Sequence, residues 1–559
     1  MQDSMDHNDD PKKKSEKNKK DTESWLNKHI DRKDFLKKSQ KIGGLIISGG
    51  ILGSLMPLAC SSKATNAPAL HTPFKTQKNP FQLGIASGDP QSDGVVLWTR
   101  LAPEPLKIGG GMTSDPVDVH WEVAEDDAFN RIVQSGTAVA DPKCAHSVHI
   151  ELEGLVPNHK YYYRFKAGAE VSPTGRTQTT PAANESTSEL NFAFASCQSY
   201  THGYYTAYDH MVEENIDVVF FLGDYIYQDG RQGHIGRGHI PSATIHSLAD
   251  YRIRHAQYKS DPSLQAAHAA FPWIVTIDDH EIKNNWAGDS PSAGSKNNSD
   301  FLDRKAHAFQ AYYEHMPIRA RAMPGNNVET QLYQSFTYGN LAKFNVLDTR
   351  QFRTDYACET SHLAEDCAER LDSSRTMLGE EQEQWLFSEL KESSSRWNIL
   401  PQQVFMGQMD RKSGPEEAFS MDKWDGYVAT RNRLFKVIKQ YSVSNPVVLT
   451  GDIHRNFASN LLEDFNDPNS PILGSELVCT SISSAGNGAD ITDSGKKILA
   501  ENAWIKFVNR QRGYVRCQLT PGQLRADFRV LPYVEKQGAP IKTRASFVIK
   551  NGQPGLVRV

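Results

Sequence analysis

Val218-Val219-Phe220-Phe221-Leu222-Gly223-Asp224-Tyr225-Ile226-Tyr227 opens with five apolar residues and stops abruptly at Gly-Asp. A short, continuous apolar run closed by turn residues reads as a buried strand of a parallel sheet. The same punctuation occurs three more times. Residues 190–193 lead into Phe194-Ala195-Ser196-Cys197, residues 273–277 into Asp278-Asp279-His280-Glu281, and residues 447–450 into Gly451-Asp452-Ile453-His454. Open α/β sheets place their chemistry just past the carboxyl ends of the strands, so the four loops are expected to converge on one crevice.

The side chains in those loops narrow the chemistry. A thiolate, a phenolate, carboxylates and an imidazole suit a trivalent iron better than magnesium, which takes oxygen ligands and keeps waters. Asp224, with two oxygens, is the candidate bridge between two ions. Two-metal sites clamp the attacking and leaving oxygens of a phosphoryl group, which points to phosphoester hydrolysis. Singly, each residue has a plainer explanation: Cys197 as a small buried hydrophobe, Asp224 and Asp452 as turn formers, His454 and Tyr227 as core residues with satisfied polar atoms. Four strand ends finishing together in metal-competent side chains favour the metal reading.

Metallophosphoesterases carry D-x-H, G-D-x-x-D, G-N-H-[DE] and G-H-x-H in that order. Here the set is Ser-Cys-Gln, G-D-Y-I-Y, D-D-H-E and G-D-I-H, which resembles the PhoD-like alkaline phosphatase and phosphodiesterase branch of that superfamily. Supporting strings are Ala86-Ser87-Gly88-Asp89-Pro90, Leu97-Trp98-Thr99-Arg100, Ala311-Tyr312-Tyr313-Glu314-His315-Met316-Pro317, Leu347-Asp348-Thr349-Arg350, Trp424-Asp425-Gly426-Tyr427 and Arg512-Gly513-Tyr514, so the likeness spans roughly residues 80–530.

The resemblance implies iron(III) held by Cys197, Asp224, Tyr227 and His454. Beside it, calcium would be held by Asp224, Asp452 and either Asn284 or Asn285. Asp279 stands where the superfamily places a bridging Asn, or instead orients His280. A hydroxide formed on the metals would attack phosphorus in line. His280 would protonate the leaving alkoxide or hydrogen-bond the phosphate, with a structural hydrogen bond as the plain alternative. Gln228 occupies a position where relatives commonly have glutamate. Arg350 offers either a bidentate phosphate contact or an ion pair with Asp348 or another buried carboxylate, and is left out of the site.

Around this core the expected fold is α/β: a two-sheet, metallophosphoesterase-like sandwich over residues 188–559, preceded by an all-β Ig/fibronectin-like domain over 76–183. Alternating runs such as Val117-Asp118-Val119-His120-Trp121 carry the β reading, and Lys160-Tyr161-Tyr162-Tyr163 resembles a fibronectin-type strand with a tyrosine corner. Helices are expected at 204–215, 300–315 and 380–395, and a mobile loop at 288–300. Strands at 513–559 are expected to extend the second sheet.

Residues 1–70 read as a leader. Asp31-Arg32-Lys33-Asp34-Phe35-Leu36-Lys37 before an apolar run at 42–58 resembles a twin-arginine signal with Lys33 in the second place. Leu58-Ala59-Cys60 approximates a lipoprotein box, which would lipidate Cys60 and attach the protein to a membrane; the rival is cleavage after Ala69. The expected location is the periplasm or cell surface. With 559 residues, 38% hydrophobic content and a net charge of -5, the chain accommodates two or three domains and is not a general nucleic-acid binder. Its substrate is expected to be a small phosphate ester and its state a monomer. Cys358 and Cys367 are placed to pair in an oxidising compartment, while Cys144, Cys479 and Cys517 read as core. The alternative function is a surface-bound binding protein with a silent phosphatase fold.

Overall fold

The computed structural model describes residues 61–62, 78–295, 299–324, 329–467 and 469–559. The Arg32-Lys33 motif, the apolar run at 42–58, Cys60, Ala69 and residues 296–298 of the Ser/Asn/Gly-rich stretch lie outside the described residues. Among the described residues, no helix is long and apolar enough to cross a membrane.

Strands β1 (Ser61–Ser62), β2 (Ile85–Gly88), β3 (Val96–Arg100), β4 (Val117–Ala124), β5 (Ile132–Ala140), β6 (Ser147–Glu151), β7 (Lys160–Ala167), β8 (Glu170–Val171) and β9 (Gly175–Gln178) come first. β4, β5, β7, β8 and β9 make one antiparallel sheet. Val119, Trp121 and Val123 alternate inward from β4 and share a core with Leu97, Val148 and Ile150 of β3 and β6, the period-two burial of two packed sheets. Tyr161 accepts a hydrogen bond from the Val156 N–H at 3.0 Å, as a tyrosine corner does.

β10 (Leu190–Ala195), β11 (Val218–Leu222) and β12 (Pro272–Thr276) are parallel neighbours, with Phe192 opposite Val218 and Val219 opposite Trp273. Helices α1 (Thr206–Val212), α2 (Leu248–Lys259), α3 (Pro262–Ala270) and α4 (Ser299–His315) connect and cover them. Their starts have local causes: Ser247 and Asp250 form a reciprocal capping box on α2, and Asp261 caps α3 just before Pro262. β2 also runs parallel to β12, Ser87 opposite Pro272, so the first sheet of the amino-terminal strands continues into this one.

β13 (Gln334–Tyr338), β14 (Ala342–Val346), β15 (Leu363–Ala364), β16 (Trp397–Pro401), β17 (Phe419–Ser420), β18 (Pro446–Thr450), β19 (Asn456–Leu462), β20 (Ile472–Val478) and β21 (Ile505–Asn509) follow. Seven of them form a second sheet in the order β13-β14-β16-β18-β20-β19-β21, and β15 pairs with β17. α5 (Gly379–Glu392) and α6 (Val428–Gln440) pack on its outer face. The two sheets meet through an aromatic core: Phe220 stacks on Phe344 at 4.6 Å, and Phe192 meets both edge-on at 5.7 and 5.4 Å.

The closing strands, β22 (Arg512–Leu519), β23 (Gln523–Leu531), β24 (Lys542–Lys550) and β25 (Gln553–Arg558), correct one expectation. They extend the first sheet, because β22 pairs antiparallel with β10, Phe192 opposite Cys517. The backbone groups on that edge of β10 are buried and require a ladder partner, which β22 supplies. The predicted helices appear as α1, α4 and α5; α1 and α5 are shifted at both ends, and α4 starts at Ser299 and ends, as expected, at His315. Cys358 and Cys367 form a disulfide, and Cys479 and Cys517 are buried free thiols. Cys144 is buried as expected, but it is disulfide-bonded and lies in the turn Pro142–Cys144 rather than in a strand. The result is a mixed α/β fold with several sheets.

Candidate active site

The carboxyl ends of β10, β11, β12 and β18 lie side by side, and two glycines let their loops touch. A Cβ on Gly223 would sit 2.4 Å from Asp278 Cβ, at a φ of 98° that disfavours any side chain; one on Gly451 would sit 2.8 Å from Ser196 Cβ. The loops are also strained. Cys197, Asp224, Asn285, Asp452 and His454 all have left-handed backbone, with φ of 60°, 57°, 51°, 62° and 53°. Each costs about 1 kcal/mol for a non-glycine residue, and such conformations gather where function requires a fixed geometry. Main-chain bonds lock them: the Cys197 N–H donates to Gly223 O at 3.0 Å and the Gln198 N–H to Asp224 O at 3.1 Å. Glu281 ties two loops by accepting from the Tyr225 and Asp278 N–H groups at 2.6 and 2.9 Å.

Two donor clusters result. Cys197, Asp224 and His454 bring ligand atoms within 4.8 Å of one another, and so do Asp224, Asp279 and His280, with Asp224 common to both. Tyr227 joins the first: its hydroxyl donates to Asp224 Oδ2 at 2.8 Å, lies 3.2 Å from His454 Nε2 and receives a bond from Ser484 Oγ at 2.6 Å. Burial, with Asp279 next, holds Asp224 well above the usual carboxylate range. Burial and then Asp224 push the Cys197 thiol and Tyr227 phenol well up, while burial and Arg512 hold His454 well down. The anionic forms of Asp224, Cys197 and Tyr227 repel one another in a dry site, the situation a multivalent cation relieves.

A cavity of about 560 Å³ opens over these groups. Asp224, Asp279, His280, Asn284, Asn285, Asp452 and His454 line it; Cys197 and Tyr227 are buried and do not. Asn285 donates its main-chain N–H to Asp279 Oδ2 at 2.8 Å and its side-chain amide to Ser361 Oγ at 3.0 Å. The Asn284 side chain is exposed to the cavity. Asp452 stands outside both clusters. Its carboxylate meets Lys423 Nζ and, at 3.4 Å, Arg350 Nη2.

His280 is oriented by Gln228. With the amide nitrogen toward the ring, Gln228 donates to His280 Nδ1 at 2.8 Å and to its carbonyl at 3.2 Å, and accepts from the Asn284 N–H at 3.2 Å. Nδ1 is then an acceptor, so the ring proton sits on Nε2.

Residues 192–528 match the PhoD-like phosphatase family, and residues 65–181 match the PhoD-like phosphatase N-terminal domain. The chain belongs to the PhoD-like phosphatase family. Alkaline phosphatase D of Bacillus subtilis (strain 168) is 50% identical over 541 residues, 96% of this chain and 90% of its own. The solved structure of PhoD aligns with a TM-score of 0.84 at 53% identity, covering 87% of this chain and 93% of that one.

In this PhoD-like site Arg350 takes the ion-pair role. Nε contacts Asp278 Oδ1 at 2.5 Å and Nη1 contacts Asp422 Oδ1 at 2.7 Å, while Asp348 accepts only its main-chain N–H, at 2.9 Å. Burial alone would raise Asp422, but Arg350 and Lys423 hold it well below the usual range. Asp279 is likewise burdened by burial and kept low by His280 and Arg350. Asp422, Lys423 and Ser484 were missed in the sequence. The first two directly precede the Trp424-Asp425-Gly426-Tyr427 string, the signal that would have found them. The wall at Ser361, His362 and Leu363 sits inside the Cys358–Cys367 loop.

Proposed function

We propose that the chain is an exported, metal-dependent phosphoester hydrolase, acting as alkaline phosphatase, phosphodiesterase or both on a small phosphate ester. The observation that carries this is the meeting of Cys197, Asp224 and His454 donors within 4.8 Å, with the Tyr227 hydroxyl 2.8 Å from Asp224. Sulfur, phenol and imidazole on one side of Asp224 suit iron(III). Asp224 on its other side, with Asp279 and Asn284 or Asn285, offers oxygens of the kind calcium takes; Asp452 would join them on release from Lys423. Bound there, the cations supply Lewis-acid stabilisation of a phosphoryl group and acidify water.

The protein groups position and balance charge. Arg350 holds Asp278 and Asp422, and Lys423 bridges Asp422 and Asp452, so the carboxylate wall keeps its shape. His280 carries its proton on Nε2, placed to donate a hydrogen bond to the phosphate or to the leaving oxygen. A silent site has no use for so many buried polar groups, each costly to desolvate.

We read the fold as a two-sheet metallophosphoesterase-like sandwich over 188–559 behind an Ig-like domain over 76–183. The Cys358–Cys367 disulfide supports an oxidising, extracytoplasmic location. Pairing of Ser61–Ser62 with β6 disfavours cleavage after Ala69, which would remove that strand.

The test is turnover of p-nitrophenyl phosphate and bis(p-nitrophenyl) phosphate by metal-loaded protein. Asp224→Asn should lower kcat/KM by roughly 10³-fold or more, and a calcium chelator should stop turnover until calcium is returned. A metal-loaded wild type that hydrolyses neither ester contradicts the proposal and favours the silent-site alternative.

A further inference from the structure

The two long cationic side chains lining the cavity are unequally partnered. Lys423 is neutralised by Asp422 at 2.7 Å and by Asp452. Arg411 makes no ion pair and no side-chain hydrogen bond among the described residues, although its main chain is fixed by donation from its N–H to Ala418 O at 3.0 Å. That bond sets Arg411 on the loop entering β17, whose Ser420 also lines the cavity.

Two more guanidinium groups stand beside it. Arg455 directly follows His454, and Arg411 and Arg510 are its charged neighbours. Its Nη1 is buried without a hydrogen-bond partner. Arg510 also lacks a side-chain partner among the described residues and is a charged neighbour of both Arg455 and Arg512. Arg512 differs from these three: its donors are committed to the carbonyls of Gly486 and His454 and to Thr480 and Ser481.

Gathering like charges in a partly desolvated place is unfavourable unless an anion completes them. A guanidinium offers a planar fork of donors that matches the oxygens of a phosphate or carboxylate. The scissile phosphate has its own place, over the donors around Asp224.

We propose that Arg411, backed by Arg455 and Arg510, forms a subsite for a second oxyanion carried by the substrate, on the His454 side of the cavity. This rests on the phosphoester-hydrolase reading and narrows its substrates to esters bearing another anionic group several atoms from the reacting phosphorus.

Calorimetry on the metal-loaded protein with hexane-1,6-diyl bisphosphonate and hexylphosphonate, and with shorter and longer homologues, tests it without catalysis. The wild type should bind the best-fitting bisphosphonate about tenfold more tightly than its monophosphonate partner. Arg411→Gln should erase that ratio and Arg411→Lys should restore part of it, both variants giving wild-type circular dichroism. Equal affinities across the whole series, or a preference that survives in Arg411→Gln, would overturn the subsite. Turnover of hexyl phosphate reports separately on the hydrolase reading: its absence beside an Arg411-dependent preference sinks that reading and leaves the subsite standing.

Discussion

At His280 one amide determines where a proton sits. Gln228 donates to Nδ1 and leaves the proton on Nε2, so the ring offers an N–H that steadies the charge developing on a poor leaving group. His280→Ala should therefore lower kcat on an alkyl phosphate by about 10²-fold and spare p-nitrophenyl phosphate, whose leaving group requires no proton. Equal losses on the two esters would place His280 in phosphate binding instead. Single residues were readable in the sequence when they followed a strand end directly, as Cys197, Asp224, Asp279 and His454 do. Asp422 and Lys423 carried only the neighbouring Trp424-Asp425-Gly426-Tyr427 string as a signal, because what gives them their role is pairing with Arg350 and Asp452, which local spacing does not show. The same holds for Arg411, whose significance is the carboxylate it lacks.

Among the elements, β11 and the turn after it carry the most. Val218–Leu222 is buried on both faces, and Gly223 then lets Asp278 approach to a distance no Cβ allows. Gly223→Ala should displace the Asp224 loop. We expect a loss of about 2 kcal/mol in stability and a fall in kcat larger than that loss explains, measured by thermal midpoint and by turnover of the folded fraction. A variant with wild-type midpoint and turnover would show that the close approach is dispensable. The parallel strands could be read from their continuous apolar runs. The sheet of the closing strands could not: Leu524, Ala526, Phe528 and Val530 announce β23 by alternation, but what joins these strands to the first sheet is the pairing of β22 with β10, a contact between residues far apart in the chain. For the same reason, the continuation of β2 beside β12 had no signature.

For the whole molecule, Lys259 gives a titratable handle. It is buried at the end of α2, over the rings of Trp98 at 4.3 Å and Tyr225 at 5.3 Å, and burial lowers its pKa to about 7. Below pH 7 the folded protein bears the full cost of a buried ammonium. Between pH 7 and the usual lysine range, the unfolded chain binds the proton and the folded one does not, so stability rises with pH. Lys259→Met should raise the thermal midpoint most at and below pH 7, with the advantage shrinking toward pH 10; a difference that is flat from pH 7 to pH 10 would contradict this. The larger claim is that loops from both halves of the chain meet around an iron ion held by Cys197, Asp224, Tyr227 and His454. Iron content and the visible spectrum of the purified protein test it most directly. We predict about one iron per chain and a phenolate charge-transfer band that disappears in Tyr227→Phe. A fully active protein without iron, or a band that persists in Tyr227→Phe, would contradict it.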